Sequence, residues 1–153
     1  IDDEAFYWCS SLLDIKLPYS LKILGKSVFN CCASLKNVEF LSQISSIREY
    51  SFAFCSSLEN IIIPRSIVSI CECAFYGCSS LVSVFIPLSV TSIGEEAFAG
   101  CSSLTEITIP PMVTEIAKDA FNGCTLLSHI TIPSTLTTIG LGAFPQSANV
   151  IIA

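Results

Sequence analysis

The stretch VTSIGEEAFAGCSSLTEITIP, residues 90–110, carries a set of features that recurs along the chain. Phenylalanine returns every 23 residues, at Phe6, Phe29, Phe52, Phe75, Phe98, Phe121 and Phe144. In six units cysteine follows three residues later, at Cys9, Cys32, Cys55, Cys78, Cys101 and Cys124. Leucine follows after three more, at Leu12, Leu35, Leu58, Leu81, Leu104 and Leu127. Because self-similarity at a fixed period is the signature of repeat architectures, the sequence predicts a stack of 23-residue units.

Each unit contains one segment that alternates like a β-strand. In the quoted stretch this segment is residues 107–109, and Pro110 then ends it because proline offers no backbone donor. Proline occupies this place in five units, and Leu41 is the exception. A second apolar pair, such as Val90 and Ile93, predicts a short extended piece, and the Ala-Phe segment predicts one helical turn.

A 23-residue unit with one strand cannot bury its apolar side alone. Stacking copies about 4.8 Å apart pairs the strands into a parallel sheet and closes a continuous core. The sequence therefore predicts a single, mostly β solenoid of about six to seven units over residues 1–153. It has a parallel concave sheet, with short extended pieces and single helical turns on the convex side.

The repeat resembles the BspA-like class of leucine-rich repeats. The strand core of that class, L-x-x-L-x-L followed by proline, is matched by Leu104, Ile107, Ile109 and Pro110, and residues 93–101 match its I-G-x-x-A-F-x-x-C arc. The match extends over nearly the whole chain and implies a leucine-rich-repeat solenoid. It also implies display or secretion at the surface of bacteria or protists, with adhesion to host-cell, matrix or microbial surface proteins.

The composition argues against other classes of partner. Thirteen acidic residues against seven basic ones give a net charge of -6, so the basic surface that nucleic-acid binding needs is missing. The longest apolar runs, such as residues 61–63, are far too short to cross a membrane. No signal peptide is visible, and since residue 1 falls inside a repeat, the chain is expected to be a fragment of a longer protein.

The last unit departs from the pattern, with Pro145 and with Ser147 in place of cysteine. We expect an irregular cap whose strand, residues 150–152, pairs in a shifted register. A capped stack is expected to be a monomer, whereas an uncapped one would expose a strand edge that invites self-association.

The six in-phase cysteines are predicted to be buried free thiols that pack as small apolar groups. Isolated disulfides between coils are the alternative. Cys31 stands at a variable position of the arc. Cys71 and Cys73 have no second pair at zinc-ligand spacing, so no metal site is predicted, although an exposed Cys73 could form an intermolecular disulfide.

The sequence predicts neither an enzyme nor a cofactor site. Catalysis needs a nucleophile or an acid–base pair oriented by a neighbour, and the one imidazole, His129, is expected to face solvent near Glu106 of the adjacent coil. No glycine-rich phosphate loop follows a strand.

Outward positions of the predicted sheet carry apolar and cationic groups that core packing does not require. The candidate partner-binding residues are Tyr19, Asn60, Ile62, Arg65, Ser83, Phe85 and Leu88. Exposed clusters of this kind mark interaction sites, and aromatic and arginine side chains are favoured anchors. The alternatives are that these residues reflect strand propensity or lie under a flanking segment.

The leading hypothesis is therefore a protein-binding or adhesion module at the cell surface. An intracellular scaffold is the alternative, favoured by reduced thiols and by the absence of a glycosylation sequon. A third hypothesis is a structural spacer that presents another domain.

Overall fold

The computed structural model describes all 153 residues as a stack of coils with two rows of strands, numbered in chain order. The first row comprises β1 (Asp14–Leu17), β2 (Asn37–Phe40), β4 (Asn60–Ile62), β6 (Ser83–Phe85), β8 (Glu106–Thr108), β10 (His129–Ile132) and β12 (Asn149–Ile152). The second comprises β3 (Ser46–Ile47), β5 (Ser69–Ile70), β7 (Ser92–Ile93), β9 (Glu115–Ile116) and β11 (Thr138–Ile139). Every pairing is parallel, which confirms the predicted solenoid.

One apolar core of 38 buried residues runs through the stack. At its centre lies the column of phenylalanine rings, one from each coil. Centroids of successive rings are 5.2 to 5.7 Å apart, and their planes are within 23° of parallel. Because each ring packs on the ring 23 residues away, the phenylalanine period fixes how neighbouring coils align.

The last strand, β12, continues the stack but pairs with β10 in a shifted register, as predicted. His129 of β10 pairs with Asn149 of β12, an offset of 20 residues, whereas it pairs with Glu106 of β8 at an offset of 23. All four residues of β12 are exposed.

The first row of strands is not one continuous sheet. It divides into β1–β2, β4–β6 and β8–β10–β12, whereas the second row forms one five-stranded sheet. The gap before β4 follows the unit that lacks proline: the N–H of Leu41 donates to Leu17 (2.9 Å), and the turn seen elsewhere, such as Val90 N–H to Pro87 (3.0 Å), is absent. The gap between β6 and β8 has no such local cause.

Ser42, which follows Leu41, is buried, whereas Tyr19, Arg65 and Leu88 at the same position of other units are exposed. It is 3% exposed, and its hydroxyl has no hydrogen-bond partner. Without the proline-initiated turn, the chain carries this side chain inward.

The predicted helical turns around Ala-Phe are not confirmed, since the arcs contain no helix. The N–H groups of Phe6 and Trp8 donate to the carbonyls of Val28 and Asn30 on the next coil, at 2.9 and 2.8 Å, while that of Tyr7 bonds within its own coil. A helix needs all its donors inside one segment. Here alternate donors point along the stack, so the arc is a chain of tight turns.

The arc passes through the left-handed backbone region just before each in-phase cysteine. Three coils have glycine there, at Gly77, Gly100 and Gly123. The first three have side chains instead, with φ of 59° at Trp8, 63° at Cys31 and 58° at Phe54. A residue with a Cβ is strained in this region by roughly 1–2 kcal/mol, so the variable position predicted at Cys31 is a conformationally costly one.

Five of the six in-phase cysteines are buried, as predicted, and Cys9 in the first coil is exposed. Each buried thiol donates to the phenylalanine carbonyl of the preceding coil, as from Cys78 to Phe52 at 3.1 Å and from Cys55 to Phe29 at 3.2 Å. Burial raises the pKa of Cys78 to about 12, and it also raises the pKa of Cys55 well above its ordinary value. The column thus combines apolar packing with a weak donor that neither alanine nor valine supplies.

We expect the free energy of unfolding to fall as the pH rises above about 9, because the unfolded chain then releases thiol protons that the folded chain retains. Below that pH the thiols are protonated in both states. Cys55 and Cys78 each add a decline of up to about 1.4 kcal/mol per pH unit. Urea unfolding under reducing conditions measures this slope. The variant Cys55→Ala/Cys78→Ala should be less stable at neutral pH, but its free energy of unfolding should fall less steeply as the pH rises. Equal slopes for the parent and the variant would contradict the attribution of the decline to these thiols.

Because of the left-handed strain at Cys31, we expect glycine to be more stabilising than alanine at this position, which is the reverse of their usual order. Cys31→Gly should be more stable than Cys31→Ala by about 1 kcal/mol, because only glycine relieves the backbone. Gly100→Ala is the matched control: its added Cβ would meet no atom closer than 3.5 Å, so the expected loss of stability reflects the backbone alone. Denaturant midpoints measure both effects, and an alanine variant at residue 31 as stable as the glycine variant would refute the strain.

Candidate partner-binding face

The first row of strands turns alternate residues outward, and we call this surface the sheet face. One outward series consists of Lys16, Glu39, Ile62, Phe85, Thr108 and Thr131. The other consists of Asp14, Asn37, Asn60, Ser83, Glu106 and His129. Parallel pairing aligns these series across the coils, as Ile62 with Phe85 and Asn60 with Ser83.

The centre of the sheet face is apolar. Ile62 is 84% exposed, Phe85 69% and Leu88 65%, and we call these three side chains the central patch. Beside them the Ser83 hydroxyl donates to the Asn60 amide oxygen at 3.2 Å, so a polar pair borders the patch. The structure therefore brings together five of the predicted residues on β4, β6 and the turn after β6.

Arg65 joins the same region from the turn that follows β4. Together with Phe85, Pro87, Leu88 and Ser89 it lines a shallow hollow. The guanidinium therefore lies beside an apolar surface, as the sequence predicted.

Tyr19 is separated from this hollow, although it is 76% exposed. It lies two coils before Arg65, which corresponds to about 10 Å along the stack. The residue at the same position of the intervening coil is the buried Ser42, so no outward side chain connects them.

A second hollow opens where β2 and β4 are not hydrogen-bonded. Its lining includes Glu39, Phe40, Ile62 and Pro64. Phe40 is only half-buried, although Leu17 and Ile63 at the same position of the neighbouring units are buried, and its ring meets that of Phe52 edge-on at a centroid distance of 6.2 Å. The sequence signal for this hollow was Phe40, an aromatic residue at the end of the strand in the one unit where leucine replaces proline.

A third depression lies at the end of the arc and was missed by the sequence analysis. It is lined by Trp8, Ser10, Cys31, Ala33, Phe54 and Ser56. Trp8 is 65% exposed and Phe54 47%. The signal that could have found it is the replacement of glycine by aromatic residues in the early units.

The structure shows no group of three or more His, Cys, Asp or Glu side chains that could hold a metal ion. His129 is exposed and aligned with Glu106 across β10 and β8, as predicted. Its Nδ1 lies 2.9 Å from the Ser128 hydroxyl. No helix is long and apolar enough to cross a bilayer.

Cys73 corrects the hypothesis of an exposed thiol. It is 4% exposed, and its sulfur lies 3.8 Å from a carboxylate oxygen of Glu96. No cysteine is joined in a disulfide.

The repeat matches a known family along the chain. The model of the BspA type leucine rich repeat region matches residues 1–72 and 45–152, in six copies. A T. pallidum leucine-rich-repeat protein of known structure is similar with a TM-score of 0.84 and 32% identity, covering 95% of this chain and 71% of that one. One from Bacteroides ovatus has a TM-score of 0.79 and 32% identity, covering 99% of this chain and 44% of that one.

A leucine rich cell surface protein from Faecalibacterium prausnitzii is similar in fold alone, with a TM-score of 0.52 and 20% identity over the whole of this chain and 63% of that one. No curated protein matches the sequence significantly.

Proposed function

Because the chain belongs to the BspA type leucine-rich-repeat family, we propose that it is a protein-binding or adhesion module whose sheet face receives the partner. The central patch with Arg65, Asn60 and Ser83 forms the contact. Tyr19 serves at most as an outlying contact.

The observation that carries this proposal is the exposure of Ile62, Phe85 and Leu88 on a regular sheet. None of the three is needed for the core, and exposed apolar clusters bordered by polar groups mark binding surfaces. Since paired strands hold Ile62 and Phe85 in place, little conformational entropy is lost when a partner covers them.

The chemistry of the face favours a protein partner. The net charge of -6 disfavours nucleic acid, and the hollow beside Arg65 is lined by the apolar side chains Phe85, Pro87 and Leu88 together with Ser89. The leucine-rich-repeat solenoid is a scaffold architecture, in which outward residues vary without disturbing the core.

Display at the cell surface or secretion is part of this proposal, with a host-cell, matrix or microbial surface protein as the partner. The family assignment supports it. An intracellular scaffold would bind a cytoplasmic partner through the same sheet face. A structural spacer would bind no partner through it.

The test is binding of the immobilised chain to a panel of purified matrix and host-cell surface proteins. Ile62→Lys/Phe85→Lys should weaken any specific binding by about 30-fold or more, because it places two charges in the apolar centre. Thr108→Lys/Thr131→Lys is the matched control, since it makes the same change in the same outward series beyond the patch. Urea midpoints verify that both variants fold.

Equal binding by the parent and both variants would refute the patch as the contact. If no surface protein binds while the folded chain captures a cytoplasmic partner through the patch, the surface assignment is wrong. If nothing binds, the spacer hypothesis replaces this one.

A further inference from the structure

Arg65 stands out among the basic residues of this acidic chain. Four of the seven lysines and arginines form salt bridges, namely Lys16, Lys26, Arg48 and Lys118. Arg65 forms none, as is also true of Lys22 and Lys36, although acidic residues outnumber basic ones thirteen to seven. It is also the unpaired cation that borders the central patch.

The surroundings of Arg65 offer its guanidinium no anionic acceptor. The hollow beside it is lined by Phe85, Pro87, Leu88 and Ser89. The hydroxyl proton of Ser89 is already donated to the carbonyl of Ile67 at 2.6 Å. A planar cation with five donors therefore faces outward beside an apolar surface, where a carboxylate would meet little competition from this chain.

We infer that the partner is a polypeptide segment that carries an aspartate or glutamate close to a large apolar side chain. This inference rests on the proposed function and specifies the partner. The carboxylate binds Arg65, and the apolar side chain covers Ile62 and Phe85. Charge complementarity selects the acid, while the apolar side chains of the patch, which offer no hydrogen bonds to hydroxyl groups, favour an apolar side chain of the partner.

The spacing of the two contacts limits the segment. Arg65 follows Ile62 by three residues into the turn after β4, so the two Cα atoms are separated by at most about 10 Å. An extended partner therefore places its acid within about three residues of its apolar anchor.

The opposite side of the patch sets the orientation. Glu106 on β8 is exposed and forms no salt bridge, and it lies one coil beyond Phe85, away from Arg65. A carboxylate placed there would be repelled, so the acidic end of the segment lies toward Arg65.

The experiment selects random linear peptides by display on the immobilised whole chain, with the variant Ile62→Lys/Phe85→Lys as the negative target. Enriched peptides should pair an acidic residue with an aromatic or aliphatic one. For a synthesised winner, changing its acid to the amide should weaken binding to the parent by about 10-fold to 100-fold, but by less than about 3-fold for Arg65→Gln. Arg65→Lys should recover part of the difference, since it restores charge without the planar fork.

The outcomes separate this inference from the proposed function. Peptides that need the patch but carry no acid, or an amide change that weakens parent and Arg65→Gln equally, would overturn the inference and leave the binding face standing. Enrichment no different from the negative target would overturn both. Hyaluronan bound through Arg65 but independently of Ile62 and Phe85 would replace the polypeptide with an acidic glycan.

Discussion

The structure depends on hydrogen bonding between coils. A unit of 23 residues with strands of two to four residues cannot satisfy its own backbone donors, and so it directs N–H groups to neighbouring coils. The arc donates to the following coil, whereas beside the second strand row the donation runs to the preceding coil, as from Gly94 to Ile70 at 2.8 Å. The donation from Phe29 to Ser51, at 2.8 Å, repeats from Phe52 to Ala74 and from Phe75 to Ala97. The ring column and the thiol column repeat in this same register and reinforce it.

Most of the fold could be predicted because its signals repeat. A pattern that returns in every unit averages out local exceptions, so the parallel pairing, the buried cysteines and the shifted last strand were all accessible from the sequence. The features that the sequence did not predict depend on single residues, as at Ser42, or on the direction in which backbone N–H groups point, as in the arc. The arc was assigned a helical turn because Ala-Phe favours one, but periodicity carries no information on whether an N–H points along the chain or along the stack.

The candidate site was partly predictable for a similar reason. Strand alternation correctly predicted that Ile62 and Phe85 are exposed. The positions just after proline correctly predicted the exposure of Leu88 and Arg65. It was harder to predict which of these exposed residues lie next to one another. The inward turn of Ser42 arises from a single leucine in place of proline, and it separates Tyr19 from the patch.

The division of the first strand row gives the molecule an uneven stiffness. The second row is bonded across five strands, whereas the first is cut on both sides of the β4–β6 pair. Across these two seams the coils are held by the second row and by the hydrogen bonds of the arc, while the sheet face has no ladder bonds there. Ile62 and Phe85 lie on the hydrogen-bonded pair β4–β6 between the seams, so ladder bonds fix the spacing of these two anchors independently of the strands on either side.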